Sequence, residues 1–131
     1  MSSLACRHSL RRQSPLVAIV DADRRVRHSL AELLRLGGVR VAGSAGGTEE
    51  ALALLERQQP DLLVIDPRLP TPAAGSELLA TVRQMWPRLR LLLMGWPQRD
   101  EAAADGLAYI SKGAAPAEFL GAILAALPGS E

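Results

Sequence analysis

Apolar positions along this chain follow two alternating rhythms. Leu16-Val17-Ala18-Ile19-Val20 is an unbroken apolar run that stops at Asp21, the pattern of a short strand buried on both faces. Val26, Leu30, Leu33 and Leu34 then recur at i, i+4, i+7 and i+8 with arginine and glutamate between them. That spacing predicts an amphipathic helix, which Gly37-Gly38 ends. Val39 to Ala42 predicts a weak second strand and 43–47 a glycine-rich loop. Thr48 is expected to cap the next helix, with Glu49 and Glu50 in its first turn and Ala51, Leu52, Leu54 and Leu55 on its buried face.

Leu62-Leu63-Val64-Ile65 predicts a third strand, which stops at Asp66. The stretch 67–75 contains Pro67, Pro70 and Pro72 and is expected to be irregular. Leu78, Leu79, Val82, Met85 and Trp86 define a further helix that Pro87 terminates. Leu89 to Met94 is the expected fourth strand, 98–105 a short fourth helix broken by Gly106, and Leu107 to Ile110 the fifth strand. Pro116 fits the first turn of a last helix burying Phe119, Leu120, Ile123, Leu124 and Leu127. Strand and helix alternate five times, which predicts an α/β fold: a doubly wound, five-stranded parallel sheet with helices on both faces and right-handed crossovers. The expected organisation is a flexible basic arm over 1–14, one domain over 15–128 and a short tail over 129–131.

Composition narrows the function classes. A chain of 131 residues is one domain's length and long enough for one proper core. The net charge is +1 and only four residues are aromatic, so neither a basic nucleic-acid surface nor a base-stacking platform is expected. Cys6 is the single cysteine, so no intrachain disulfide can form and the cytoplasm is the expected compartment. The longest apolar runs are too short to span a bilayer, and no membrane role is expected. Of the 15 basic residues, Lys112 is the sole lysine; the others are arginine. A compact ammonium in an arginine-rich chain marks that position for scrutiny.

In a doubly wound sheet, ligands bind outside the carboxyl ends of the strands at the topological switch point. The first strand ends in Asp21, the third in Asp66 and the fifth in Ser111-Lys112. Two carboxylates can bind a hard cation such as Mg²⁺, a carboxylate can attack phosphorus, and an ammonium can neutralise charge on a transferred group. Any one of the three fits a polar cap on a buried strand; the three together favour a site.

The stretches Val17-Ala-Ile-Val-Asp21, Pro60-Asp-Leu-Leu-Val-Ile-Asp66-Pro-Arg-Leu-Pro70 and Ala108-Tyr-Ile-Ser-Lys112 resemble the receiver domain of two-component response regulators, from about Leu16 to Leu127. Gly43-Ser-Ala-Gly-Gly-Thr-Glu-Glu-Ala-Leu52 resembles that family's second βα turn. The resemblance implies a flavodoxin-like, CheY-like fold with strand order 2-1-3-4-5. It implies that Asp66 accepts a phosphoryl group from a sensor histidine kinase or phosphotransfer protein, and that Lys112 contacts the phosphoryl oxygens. It further implies Mg²⁺ held by Asp21, Asp66 and the main-chain carbonyl of Arg68. Gly95, Trp96 and Tyr109 would lie on the switch or output face.

The chain departs from the family pattern along one path. Ala22 replaces the acidic residue that usually binds the metal directly, so Mg²⁺ binding is expected to be weak. Asp23 could stand in, but its position reads better as a helix N-cap. Leu93-Met94-Gly95-Trp96-Pro97 offers no hydroxyl at the end of the fourth strand. The stretch from Gly95 to Lys112 is short, Thr71-Pro72 lengthens the loop after Asp66, and Gly113 stands where proline often follows the lysine. An atypical receiver is therefore expected, in which a guanidinium from Arg24, Arg25 or Arg68 partly fills the metal's role. Two alternatives remain open at this point. One is a phosphorylation-independent module that dimerises through the fourth helix, fifth strand and last helix. The other is a haloacid-dehalogenase-like phosphatase using Asp21 and Asp23. The resemblance implies no metabolic enzyme, and no DNA-binding segment is expected within this chain.

Overall fold

A computed structural model describes residues 15–96 and 107–128. Five strands form one parallel sheet: β1 (Leu16–Val20), β2 (Arg40–Ala45), β3 (Leu62–Ile65), β4 (Arg90–Gly95) and β5 (Ala108–Ser111). Four helices join the described segments: α1 (Arg24–Leu36), α2 (Thr48–Gln58), α3 (Pro72–Met85) and α4 (Pro116–Ala126). The strand order is β2-β1-β3-β4-β5, as the resemblance implies. The expected short helix over 98–105, the arm over 1–14 and the tail over 129–131 lie outside the described residues, as does part of the dimer face expected to include that helix.

The period of the strands divides the interior into two cores. Val17 and Ile19 of β1, Leu62 and Val64 of β3, and Leu92 and Met94 of β4 face Leu30, Ala31 and Leu34 of α1 and Phe119 and Ile123 of α4. Their neighbours Ala18, Val20, Leu63, Ile65 and Leu93 face Ala51, Leu54 and Leu55 of α2 and Leu78 and Val82 of α3. Residues 17–20 and 62–65 are wholly buried. Each large aliphatic side chain so buried contributes roughly 1.5–3 kcal/mol, so β1 and β3 form the most firmly held part of the sheet.

Helix ends follow the side chains available to cap them. Asp23 is the N-cap of α1, where its carboxylate accepts the Arg25 N–H at 2.8 Å. Gly47, rather than Thr48, is the N-cap of α2, and Thr48 is its first helical residue. The strand before it, β2, also runs on to Ala45 instead of stopping at Ala42, because it stays paired with β1 as far as Val20. A register shift accommodates this pairing, with Gly43 at a φ of 151°, a backbone state that glycine adopts freely. The proline-rich stretch after Asp66 is also shorter than expected. Thr71 accepts the Ala74 N–H at 3.2 Å and Pro72 occupies the first turn of α3, where its missing N–H costs no hydrogen bond. Thr71-Pro72 is thus the start signal of a helix.

This early start brings the first turn of α3 against the loop that follows Asp66. Gly75 is buried there, and a Cβ on it would fall on the Pro67 carbonyl oxygen. Because the obstacle is backbone, it cannot rotate away. Gly75→Ala is expected to lower unfolding free energy by about 1–3 kcal/mol, the usual cost of overpacking. Urea unfolding followed by circular dichroism would measure it.

Candidate functional site

The site is assembled by an identical backbone device used three times. Asp21, Asp66 and Lys112 are each the first residue beyond a strand. The Asp21 N–H donates to the Ala45 carbonyl at 3.1 Å, Asp66 N–H to Val20 at 2.9 Å and Lys112 N–H to Gly95 at 2.7 Å. Each acceptor is the last residue of the adjacent strand, so the sheet's ladder extends by one rung and fixes all three residues at its carboxyl edge. The crossover order places β1 beside β3, and hence Asp21 beside Asp66.

Lys112 connects the two carboxylates. Its Nζ lies 2.6 Å from Asp21 Oδ2 and 2.6 Å from Asp66 Oδ2. Asp21 and Asp66 are 1% and 5% exposed, so this is a charged cluster drawn into the protein edge. Burial pulls the Lys112 pKa down, but hydrogen bonding and charge from Asp21 and Asp66 outweigh it and leave the pKa above the ordinary lysine value. The ammonium therefore stays charged through the neutral range. Each carboxylate is also tied to the main chain. Asp21 Oδ1 accepts the Asp23 N–H at 2.7 Å, and Asp66 Oδ1 accepts the Arg68 N–H at 3.1 Å.

Of the three arginines considered from the sequence, Arg68 reaches the site: its Nε is 3.6 Å from Asp66 Oδ1. Arg24 and Arg25 are exposed at the start of α1 and make no ion pair with Asp21 or Asp66 among the described residues. Arg27 was not singled out by sequence, yet its Nη1 donates to the carbonyls of Asp21 at 2.7 Å and Ala22 at 3.3 Å. The available signal was its place one turn into α1, since helical side chains lean back toward the N-terminus. Asp23 does not join Asp21 in a nucleophile pair, because its carboxylate is committed to capping α1.

Gly95, Trp96 and Tyr109 form a second group beside the first. The Tyr109 hydroxyl donates to the Trp96 carbonyl at 2.7 Å. The ring lies over Gly95, where a Cβ would come within 3.4 Å of the hydroxyl oxygen. No hydroxyl side chain stands at the end of β4; the nearby Ser111 Oγ, at the end of β5, accepts the Gly113 N–H at 3.0 Å. A groove of about 610 Å³ runs from Asp66 along α3 to Gly95 and Tyr109, with Arg68 and Arg83 on its wall.

Comparison with known proteins identifies the family of the fold. The response regulator receiver domain family matches residues 17–123, most of the chain. The chain belongs to that family. This receiver is 32% identical over 100 residues to the transcriptional regulatory protein PdtaR of Mycobacterium tuberculosis, covering 73% of this chain and 48% of that one. It is 36% identical over 92 residues to the DNA-binding transcriptional activator DevR/DosR of the same organism, covering 70% and 42%. The receiver thus spans about half the length of the curated relatives it matches. Among solved structures, a putative response regulator from Chloroflexus aurantiacus superimposes with a TM-score of 0.73 at 29% identity, covering 84% of this chain and 94% of that one. Vibrio cholerae CheY4 gives 0.75 at 22% identity, covering 87% and 99%, a likeness of fold.

The receiver's donors can be tested against the Mg²⁺ that the family implies. Asp21 Oδ2 is buried and has no well-angled hydrogen bond; its 2.6 Å contact with Lys112 is an ion pair by distance. A hard cation there would share this oxygen with the Lys112 ammonium. Against this, Ala22 supplies only a methyl, and no group of three or more His, Cys, Asp or Glu side chains with metal-binding arrangement occurs among the described residues. Two carboxylates fit a Mg²⁺ ion that keeps most of its own water. Among the described residues no helix is long and apolar enough to cross a membrane.

Removing the ammonium would leave two buried carboxylates facing one another. Lys112→Met is expected to lower unfolding free energy at neutral pH by about 3–5 kcal/mol, the usual cost of breaking a buried pair. A complementary loss is expected for the parent in alkali. A raised lysine pKa gives stability that is fully present below the unfolded-state lysine value and is lost as pH rises through the folded-state value. Denaturant unfolding as a function of pH, on parent and variant, checks both signs.

Proposed function

We propose that this receiver takes a phosphoryl group on Asp66 from a phosphohistidine on a sensor kinase or phosphotransfer protein. The observation that carries this reading is the Lys112 ammonium, 2.6 Å from both Asp66 and Asp21. A carboxylate oxygen of Asp66 attacks phosphorus, the P–N bond to the donor imidazole breaks, and that imidazole keeps the electron pair and takes up a proton. The product is an acyl phosphate on Asp66. Lys112 then neutralises charge on the phosphoryl oxygens, while its contact with Asp21 keeps the ammonium in place. The Arg68 N–H fixes the direction of the Asp66 carboxylate. When bound through Asp21, Asp66 and the Arg68 carbonyl, Mg²⁺ supplies Lewis-acid stabilisation of the transferring group.

The reading also assigns Arg68 a share of the metal's work. Asp21, Asp66, Lys112 and Arg68 sum to zero formal charge, so the cluster is balanced before any metal arrives. This supports a receiver with weak Mg²⁺ binding. On the output side, Tyr109 is held over Gly95 and bonded to the Trp96 carbonyl, and signal passes through this ring without a β4 hydroxyl. The setting of this chemistry is the cytoplasm.

Incubation with acetyl phosphate and Mg²⁺ followed by intact-mass measurement tests the reading. The parent should gain the mass of one phosphoryl group, and Asp66→Asn should gain none. A parent that stays unmodified, or an Asp66→Asn variant that is still modified, overturns it. Arg68→Gln takes the cluster from zero to −1 and is expected to tighten Mg²⁺ binding, read by calorimetric titration. Millimolar-or-better Mg²⁺ binding in the parent, unchanged in Arg68→Gln, would remove the assigned share from Arg68.

A further inference from the structure

Arg27 grips the site loop from outside the three strand ends. Its Nη1 donates to the main-chain carbonyls of Asp21 at 2.7 Å and Ala22 at 3.3 Å, on the turn between β1 and α1. Its other face abuts the turn between β2 and α2. A Cβ on Gly46 would stand 2.6 Å from Arg27 Nη1 and 3.2 Å from Cζ, so the guanidinium fills the space that a side chain at 46 would need. That turn is itself anchored, since the Gly46 N–H donates to Glu50 Oε1 at 3.0 Å.

Every polar handle of Asp21 is therefore taken. Its N–H is on the Ala45 carbonyl, its Oδ1 on the Asp23 N–H, its Oδ2 against Lys112, and its carbonyl on Arg27. The first is the ladder rung to β2, and the second is a side-chain contact within the turn itself. Arg27 is the long side chain that hydrogen-bonds the 21–22 and 22–23 peptides while packing against a second, independently held turn. With alanine at 22, the turn has no side-chain oxygen there to brace it from within.

We propose that Arg27 is a positioning residue for phosphoryl acceptance. By clamping the Asp21 and Ala22 carbonyls against the Gly46 turn, it keeps the Asp21 carboxylate directed at Lys112, and so keeps the ammonium shared with Asp66. Arg27 touches neither Asp66 nor the transferred group; it acts through Asp21. The catalytic part of this role rests on Asp66 being the acceptor, whereas the effect on Lys112 does not.

Arg27→Gln removes the clamp. Gly46→Ala leaves Arg27 in place but puts a methyl where its guanidinium lies, and that flexible side chain is what moves. Lys112, the sole lysine in the sequence, is a direct reporter. Its labelling by an amine-reactive ester at neutral pH, separated from the N-terminal amine by peptide mapping, reads how well the ammonium is held. Hydrogen exchange at the Asp23 amide reads the Asp21 Oδ1 contact, and urea unfolding reads global stability. Arg27→Gln is expected to speed Lys112 labelling and Asp23 exchange several-fold at an unchanged unfolding midpoint. It should also slow acetyl-phosphate modification roughly tenfold, as a small misplacement near a reacting group does.

Parental rates of labelling and exchange in Arg27→Gln overturn the proposal, as does acceleration fully accounted for by a lower unfolding midpoint. If Arg27→Gln does not fold, the same readings on Gly46→Ala decide between these outcomes. If the parent accepts no phosphoryl group, the acceptor reading fails and takes the catalytic part with it. The labelling and exchange measurements still decide whether Arg27 positions Asp21.

Discussion

One ammonium between two buried carboxylates sets the terms for the rest of this molecule. Asp21 and Asp66 sit on adjacent strand ends, nearly withdrawn from water, and like charges so placed repel strongly. The arrangement holds because Lys112 reaches both. That reach requires β5 to lie two strands from β3, with all strands parallel and ending at one edge. The sheet order, the two apolar cores that fix it and the extra ladder rungs after β1, β3 and β5 all serve this juxtaposition.

On the proposed reading, charge balance lets the site persist without the family's usual acidic residue after Asp21. Alanine at 22 removes one negative charge, and Arg68 brings one positive charge to 3.6 Å from Asp66. Both changes act in the same direction, toward a neutral cluster that asks less of a divalent cation. Arg27 belongs to a different layer. It bonds carbonyls rather than carboxylates, so it governs where Asp21 points more than how much charge the site carries.

The neighbouring group at Gly95, Trp96 and Tyr109 is held by a hydrogen bond. The tyrosine ring lies beside Gly95, and its hydroxyl donates to the Trp96 carbonyl. The charged cluster and the ring are therefore neighbours that share no side-chain hydroxyl at β4. The first is fixed by ion pairs at strand ends, the second by the Tyr109 hydrogen bond to the Trp96 carbonyl.

Much of this was legible in the residues. Apolar runs that stop abruptly at Asp21 and at Asp66 mark strand ends, because a strand buried on both faces must be apolar until it leaves the core. Asp23 as a cap and Pro116 at a helix start were equally local, since each depends on a single turn of backbone. What the sequence could not state was decided by contacts between distant segments. β2 lengthens because β1 continues to offer it partners, and Pro72 joins a helix because Thr71 caps it. Above all, the arginines near Asp21 are nearly interchangeable as letters. Which guanidinium lies beside Asp66 and which clamps the Asp21 carbonyl depends on helix rotation and on the Gly46 turn of another segment. Local patterning determined the fold and the three strand-end charges; only tertiary packing distributed the remaining cations around them, because electrostatic partners are chosen by distance in space and not by spacing along the chain.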